Sequence, residues 1–277
     1  MERIHSIKNP DSFSDCISML FSFAMQEDVE WNFDIMSGRC FRMQYETDIK
    51  KWIHTAVSVQ ESMGNIAKST GCQVKVRKIE GITCKDLSYM AEKGAVLGPL
   101  ERKRLSQAVE DVYFIGGKHF VYLTDIEGKY AIIHDPDSSP CIIVEVDDLM
   151  EILKQEACYS ITMESMLPVK LSAPSHIMKE GIQCYLESDR PKIILGPCRG
   201  VAEMAAFRYG LRLFLFYNYE VLSMVKKNTN AHALREEIEE YLKNATKGYF
   251  NCKWEQFEEI ESNFRRLLEK CGRIYGI

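Results

Sequence analysis

The hydrophobic period changes twice along this chain of 277 residues, from helical to extended and back to helical. That order constrains the fold more than any other feature. A stretch of period 3.6 does not settle as a strand, and a stretch of period 2 does not settle as a helix. A first helix is expected to open at Asp11, Ser12 or Ser14, N-cap residue types that follow Pro10. It carries Cys16, Met19, Leu20 and Phe23 at helical spacing. Residues 31–45 read as loop with a short extended piece. Asp48 is expected to open a long helix. Ile49, Trp52, Ala56, Val59, Met63 and Ile66 lie on one face of it, and Gly71 stands at its stop.

From Cys72 the pattern turns extended. Strands are expected over 72–79, 94–98, 118–125, 129–135, 141–146 and 158–163, with a short helix over 147–154. Residues 168–174, bounded by two prolines, are the best boundary. They separate a core over 1–167 from a helical part over 168–277, which is either its own domain or integral to the first. In that part Val201 to Val225 is apolar nearly all round. Amphipathic helices follow, one through Leu234, Ile238, Tyr241, Leu242 and Ala245, the next through Trp254, Phe257, Ile260, Phe264, Leu267, Leu268 and Cys271. Helices, then mostly antiparallel strands, then helices make an α+β fold rather than alternating α/β.

Charge and cysteine usage narrow the function. The 35 basic and 40 acidic residues leave a net charge of −5, against a nucleic-acid binder. Residues 1–10 contain no apolar stretch, so no signal peptide is expected. The most apolar run, Tyr209 to Val225, holds Arg212 and Glu220 and reads as a buried helix rather than a membrane span. Ten cysteines occur without one C-x-x-C pair, so no metal or cofactor is expected. Reduced thiols in a cytoplasmic protein are the expectation, and the question is which of them is a nucleophile.

The hairpin KHFVYLTDIEGKYAIIHDPD, residues 118–137, carries the strongest local signal. A three-residue loop ending on Gly128 would pair Asp125 with Lys129 and, counting back, His119 with Asp135. Directly opposed residues share a face, so a histidine would stand beside a carboxylate. A two-residue loop would shift that register and break the pairing. His134 falls on the other face. Such a pair orients an imidazole and stabilises its protonated form. Cys16, near the start of the first helix, is the best nucleophile, since the helix dipole there favours the thiolate. Cys198, before a helix after Gly196-Pro197, is its rival.

The elements Ser14-Asp15-Cys16, His119-Phe120-Val121 and Asp135-Pro136 resemble those of the papain-like bacteriocin-processing peptidases. Two more stretches are similar to a non-proteolytic branch, the butirosin BtrH-like acyltransferases: Met36-Ser37-Gly38-Arg39-Cys40-Phe41-Arg42, with their S-G-x-x-F-R element, and Val96-Leu97-Gly98-Pro99-Leu100, with their strand ending in L-G-P. The resemblance spans residues 10–150 in order. It implies a papain-like cysteine peptidase fold, a first helix packed on a mostly antiparallel sheet, and a triad of Cys16, His119 and Asp135. In its amide-forming members it implies transfer of an acyl chain, a polythioamide in the nearest case, from a carrier-protein thioester to an amine or diamine. The partner implied is an acyl or peptidyl carrier protein with its phosphopantetheine arm, with no nucleic acid and no membrane.

The peptidases place a Gln before the cysteine as an oxyanion-hole donor, and no Gln precedes Cys16. Asn9 is the candidate substitute, beside the Cys16 backbone N–H. Arg102, Lys103 and Arg104 are candidates for carrier docking, as are Lys226 and Lys227. Arg42 is a candidate phosphate contact or structural salt bridge. A thiol peptidase or thioester hydrolase, and a non-catalytic binding module of the same fold, are the competing readings.

Overall fold

A computed structural model describes residues 11–29, 31–42, 44–46, 51–53, 57–109, 118–136, 141–155, 157–165, 175–187, 201–251 and 255–277. The chain divides into two compact units, Met1–Phe33 with Ile66–Leu171, and Asp34–Asn65 with Ser172–Ile277. The mixed α+β character expected from the period changes is present, with antiparallel strands between two helical stretches.

The first unit begins with α1 (Ser12–Met25). Asp11 caps it, its Oδ1 accepting the Phe13 N–H at 3.1 Å, and Gln26 ends it at φ 57°. The short α2 (Phe33–Met36) leads into the second unit. There Arg39–Phe41 form a 3₁₀ turn, and β1 (Gln44–Glu46) pairs antiparallel with β2 (Lys51–Ile53).

The helix α3 (Val59–Thr70) starts later than expected. The expected opening at Asp48 lies outside the described residues, and Trp52, expected on the helix, stands in β2 opposite Tyr45. The physical cause is Ser58, whose Oγ accepts the Glu61 N–H at 3.1 Å and caps the helix there. Ser58-x-x-Glu61 has the residue types of a capping box, a sharper start signal than Asp48.

The rest of the first unit is β3 (Gln73–Lys78), α4 (Cys84–Lys93), β4 (Ala95–Glu101), α5 (Arg102–Ala108), β5 (Lys118–Glu127), β6 (Tyr130–His134), β7 (Ile142–Glu145), α6 (Val146–Gln155) and β8 (Tyr159–Ser165). Sequence periodicity missed α4. Its start is a reciprocal cap: Thr83 Oγ1 accepts the Asp86 N–H at 3.2 Å, and Asp86 Oδ2 accepts the Thr83 N–H at 3.0 Å.

The six strands form one antiparallel sheet in the order β3-β8-β4-β5-β6-β7. Strand alternation divides its side chains between two layers. Leu97, Val121, Leu123, Ala131 and Ile133 pack with Leu87 and Met90 of α4, Leu105 of α5, and Leu149 and Leu153 of α6. Phe120 and Tyr122 turn the other way, onto α1. The Phe120 ring meets Phe13 at 5.2 Å between centroids, and Tyr122 meets Phe23 at 6.5 Å.

In the second unit α7 (Ser175–Glu187), α8 (Val201–Lys227), α9 (Arg235–Asn251) and α10 (Glu255–Tyr275) surround a core centred on Phe264. Its ring contacts Tyr185 and Phe214 edge-on and stacks on Tyr241. Phe41 of the 3₁₀ turn presses on α7 at Gly181. A Cβ there would lie 2.3 Å from the Phe41 ring, so only glycine fits. No helix among the described residues is long and apolar enough to cross a membrane.

Candidate active site

The β5–β6 hairpin turns through two residues, Gly128 and Lys129, not three. Gly128 holds φ 61°, the left-handed conformation such tight turns demand. Glu127 opposes Tyr130, and Asp125 opposes Ile132. Carried on unbroken, that register would set His119 and Asp135 on opposite faces. It is not unbroken. A bulge between Leu123 and Asp125 shifts it by one, so that Leu123 opposes Ile133 and Tyr122 opposes His134. Thr124 is the extra residue, and its hydroxyl donates to the Ile132 carbonyl at 3.1 Å.

The expected direct pairing of His119 with Asp135 is therefore corrected to a diagonal one, on a shared face. His119 Nε2 meets Asp135 Oδ1 at 2.8 Å. The two side chains are 1% and 0% exposed, so water does not screen the contact. A carboxylate accepts only, so Nε2 carries the proton and Nδ1 presents a lone pair. Arg102 takes that lone pair, its Nη2 donating to His119 Nδ1 at 2.7 Å. His119 is pushed below its ordinary pKa, first by burial and also by the Arg102 charge, against the pull of Asp135 and Asp11.

Cys16 lies in α1, fully buried. The start of the helix meets β5 beside His119: Ser12 Oγ accepts the Phe120 N–H at 3.2 Å. Gly98 allows β4 the same closeness, since a Cβ there would lie 2.9 Å from the His119 carbonyl oxygen and 2.6 Å from the Phe120 ring. This places the Leu97-Gly98-Pro99 stretch against His119. His119 has the parity of Val121, toward the layer of α5, whereas α1 covers Phe120 and Tyr122. Helix and imidazole thus reach the same end of β5. Among the described residues no hydrogen bond joins Cys16 Sγ to His119.

The thiol also departs from expectation. A helix start was to favour the thiolate. Instead burial drives the Cys16 pKa well up, and the carboxylates of Asp135, Asp15 and Asp11 drive it further. The helix offers little against this, because Asp15 N–H already closes on the Asp11 carbonyl at 3.2 Å. Cys16 follows it, past the N–H groups a helix leaves open. Its backbone N–H is thereby spent inside the helix rather than held for an oxyanion. Asn9, the other candidate donor, lies outside the described residues, as does Cys198.

The remaining candidates separate clearly. Arg102 turns to His119, Lys103 is exposed, and Arg104 Nε bonds Glu101 at 3.3 Å. All three are docking candidates by sequence, and no local signal marks Arg102 as the inward one. Lys226 pairs with Glu239. Arg42 pairs with Glu61 at 2.8 Å, the structural role of its two expected ones. His134 packs its ring 6.4 Å from that of Tyr122. No group of three or more His, Cys, Asp or Glu among the described residues is arranged to hold a metal.

Comparison with protein-family models and with curated proteins finds no match for this chain.

Proposed function

We propose that this protein is a cysteine-dependent acyltransferase of papain-like fold that moves an acyl chain from a carrier-protein thioester through Cys16 to an amine. One observation carries the reading: a buried His119–Asp135 hydrogen bond of 2.8 Å, at the end of β5 where the Cys16 helix begins. A histidine so held, with Nε2 on a carboxylate and Nδ1 accepting from Arg102, has its tautomer chosen, and it serves as a general base when Nδ1 gives up that contact.

The Cys16 thiol gives its proton to His119 Nδ1 as sulfur attacks the thioester carbonyl. Asp135 stabilises the imidazolium through Nε2–H. The carrier-arm thiolate leaves and takes the proton back from Nδ1, with the acyl group now on Cys16. An amine then attacks the acyl-cysteine, its proton passes to Nδ1, and the Cys16 thiolate departs and is reprotonated. A thiol kept neutral at rest suits this course, because no thiolate stands open to side reactions before substrate arrives.

The test is incubation with an acyl N-acetylcysteamine thioester, with and without a diamine, followed by intact-mass spectrometry. An acyl adduct on Cys16 and an amide product are expected, both lost in Cys16→Ala. Free acid alone at every amine concentration replaces the transferase with a hydrolase. No adduct, together with undiminished amide formation by Cys16→Ala, overturns the role of Cys16.

A further inference from the structure

We propose that the Tyr122 hydroxyl reads the acyl chain carried by Cys16, donating a hydrogen bond to a carbonyl of that chain beyond the thioester. The proposal deepens the acyltransferase reading and rests on it, and it makes Tyr122 a residue of specificity.

Tyr122 is fully buried, and among the described residues its hydroxyl has no hydrogen-bond partner. A buried donor left unpaired costs free energy that a phenylalanine would not. The fold nevertheless makes room for the oxygen. Gly94, at φ 65°, lies against it, and a Cβ there would stand 2.1 Å from the hydroxyl oxygen and 3.0 Å from the ring carbon that bears it. Burial holds the Tyr122 pKa above its ordinary value, so the hydroxyl stays protonated and able to donate. A carbonyl suits such a place. It accepts a hydrogen bond and, being uncharged, is less costly to take out of water than a carboxylate.

Cys16 lies on the same side of the sheet. Phe13, Cys16, Leu20 and Phe23 recur at i, i+3, i+7 and i+10 along α1, which is one helix face. Phe13 meets the Phe120 ring and Phe23 meets the Tyr122 ring, so the thiol stands on the face turned to β5, between those two contacts. A charge on Cys16 would raise the Tyr122 pKa further, which marks the two as neighbours. The hydroxyl is displaced from the thiol toward Phe23, since the same added Cβ at Gly94 would lie 3.2 Å from the Phe23 ring. Phe23 follows Cys16 by seven residues, about 10 Å along the helix. The hydroxyl therefore stands level with the chain behind the thioester rather than with the thioester carbonyl. Phe23 is half-buried, so the layer between α1 and β5 nears solvent at that end.

The test is a series of acyl N-acetylcysteamine thioesters of equal length, one all-hydrocarbon and the others with a single amide set successively further from the thioester. Intact-mass spectrometry follows the adduct on Cys16. In the unaltered protein one amide position should acylate roughly 10- to 100-fold faster than the hydrocarbon chain, the worth of pairing a buried donor. Tyr122→Phe should bring that ratio to about one. A fall in rate common to all chains cancels in the ratio, so a variant that is merely damaged keeps the preference. Tyr122→Phe should also unfold at a urea midpoint no lower than the parent's, because the hydroxyl has no partner within the fold to lose. A lower midpoint, a preference that survives in Tyr122→Phe, or no preference at any amide position in the unaltered protein overturns the role of Tyr122 alone. The last of these needs no variant. No adduct on Cys16 from any of the thioesters overturns the acyltransferase and the proposal with it.

Discussion

His119 and Asp135 meet diagonally just past the end of the β5–β6 ladder, whose last pair is Tyr122 with His134. The contact is possible because the bulge at Thr124 absorbs the odd residue left by a two-residue turn. Beyond the bulge the ladder is regular again, Leu123 on Ile133 and Tyr122 on His134.

Deleting Thr124 should therefore leave the pair intact. Leu123 still meets Ile133, and only the hydroxyl bond to Ile132 is lost, at a cost of about 1 kcal/mol. The His119 Nε2–H signal in NMR checks this. Its disappearance in the deletion variant would show that the bulge aims the imidazole as well as setting its face.

Asp135→Asn keeps the size of the side chain and removes its charge. Amide formation should fall by roughly 10²–10⁴-fold, since the imidazolium loses its counter-charge and the tautomer is no longer chosen. Steady-state rates measured beside a thermal unfolding curve separate this from a folding defect. A fall in rate under tenfold would make Asp135 a structural partner only.

Stability should decline at both ends of the pH range, each for a named reason. The folded pKa of His119 lies below its ordinary 6.5, so the unfolded chain takes up a proton first. Its contribution is complete above 6.5 and is lost as pH falls through 6.5 toward the lower folded value. Cys16 works in the opposite sense. Its folded pKa lies well above 9.0, so its contribution is complete below 9.0 and is lost as pH rises past it. Urea midpoints from pH 4 to 10 test both limbs. In His119→Gln the acid limb should flatten, and in Cys16→Ala the alkaline limb should.

Gly181→Ala should destabilise the second unit by about 1–3 kcal/mol, the usual cost of overpacking. The added methyl meets the Phe41 ring, and that ring is 2% exposed with no space to yield into. Adding Phe41→Leu should restore part of the loss. Denaturant unfolding of the single and double variants measures the coupling, and additive effects would rule out the contact.

Much of the architecture was legible in residue spacing. The six strands fall where alternation places them, within a few residues, and α1 opens at the cap residues read for it. The misses have local causes. Apolar spacing suggested a helix from Asp48, but Ser58 caps the chain later, and α4 hides in a polar stretch that Thr83 and Asp86 initiate. Two departures of one residue each in the hairpin, a shorter turn and a bulge, cancel in parity. The histidine and the carboxylate met as read, by a route that was not read.

By itself the sequence determined which residues can form each element and which face each presents, because side-chain period and caps act over a few residues. Tertiary structure alone decided the charge environment of the site. Burial and three carboxylates hold the Cys16 thiol protonated where a helix start argued for a thiolate, and Arg102, sixteen positions before Lys118 in the chain, closes on the imidazole. Asp15 and Asp11 stand beside Cys16 in the sequence, but the burial of the thiol, the approach of Asp135 and the reach of Arg102 depend on distance and exclusion of water between groups far apart in the chain, which the order of the residues does not state.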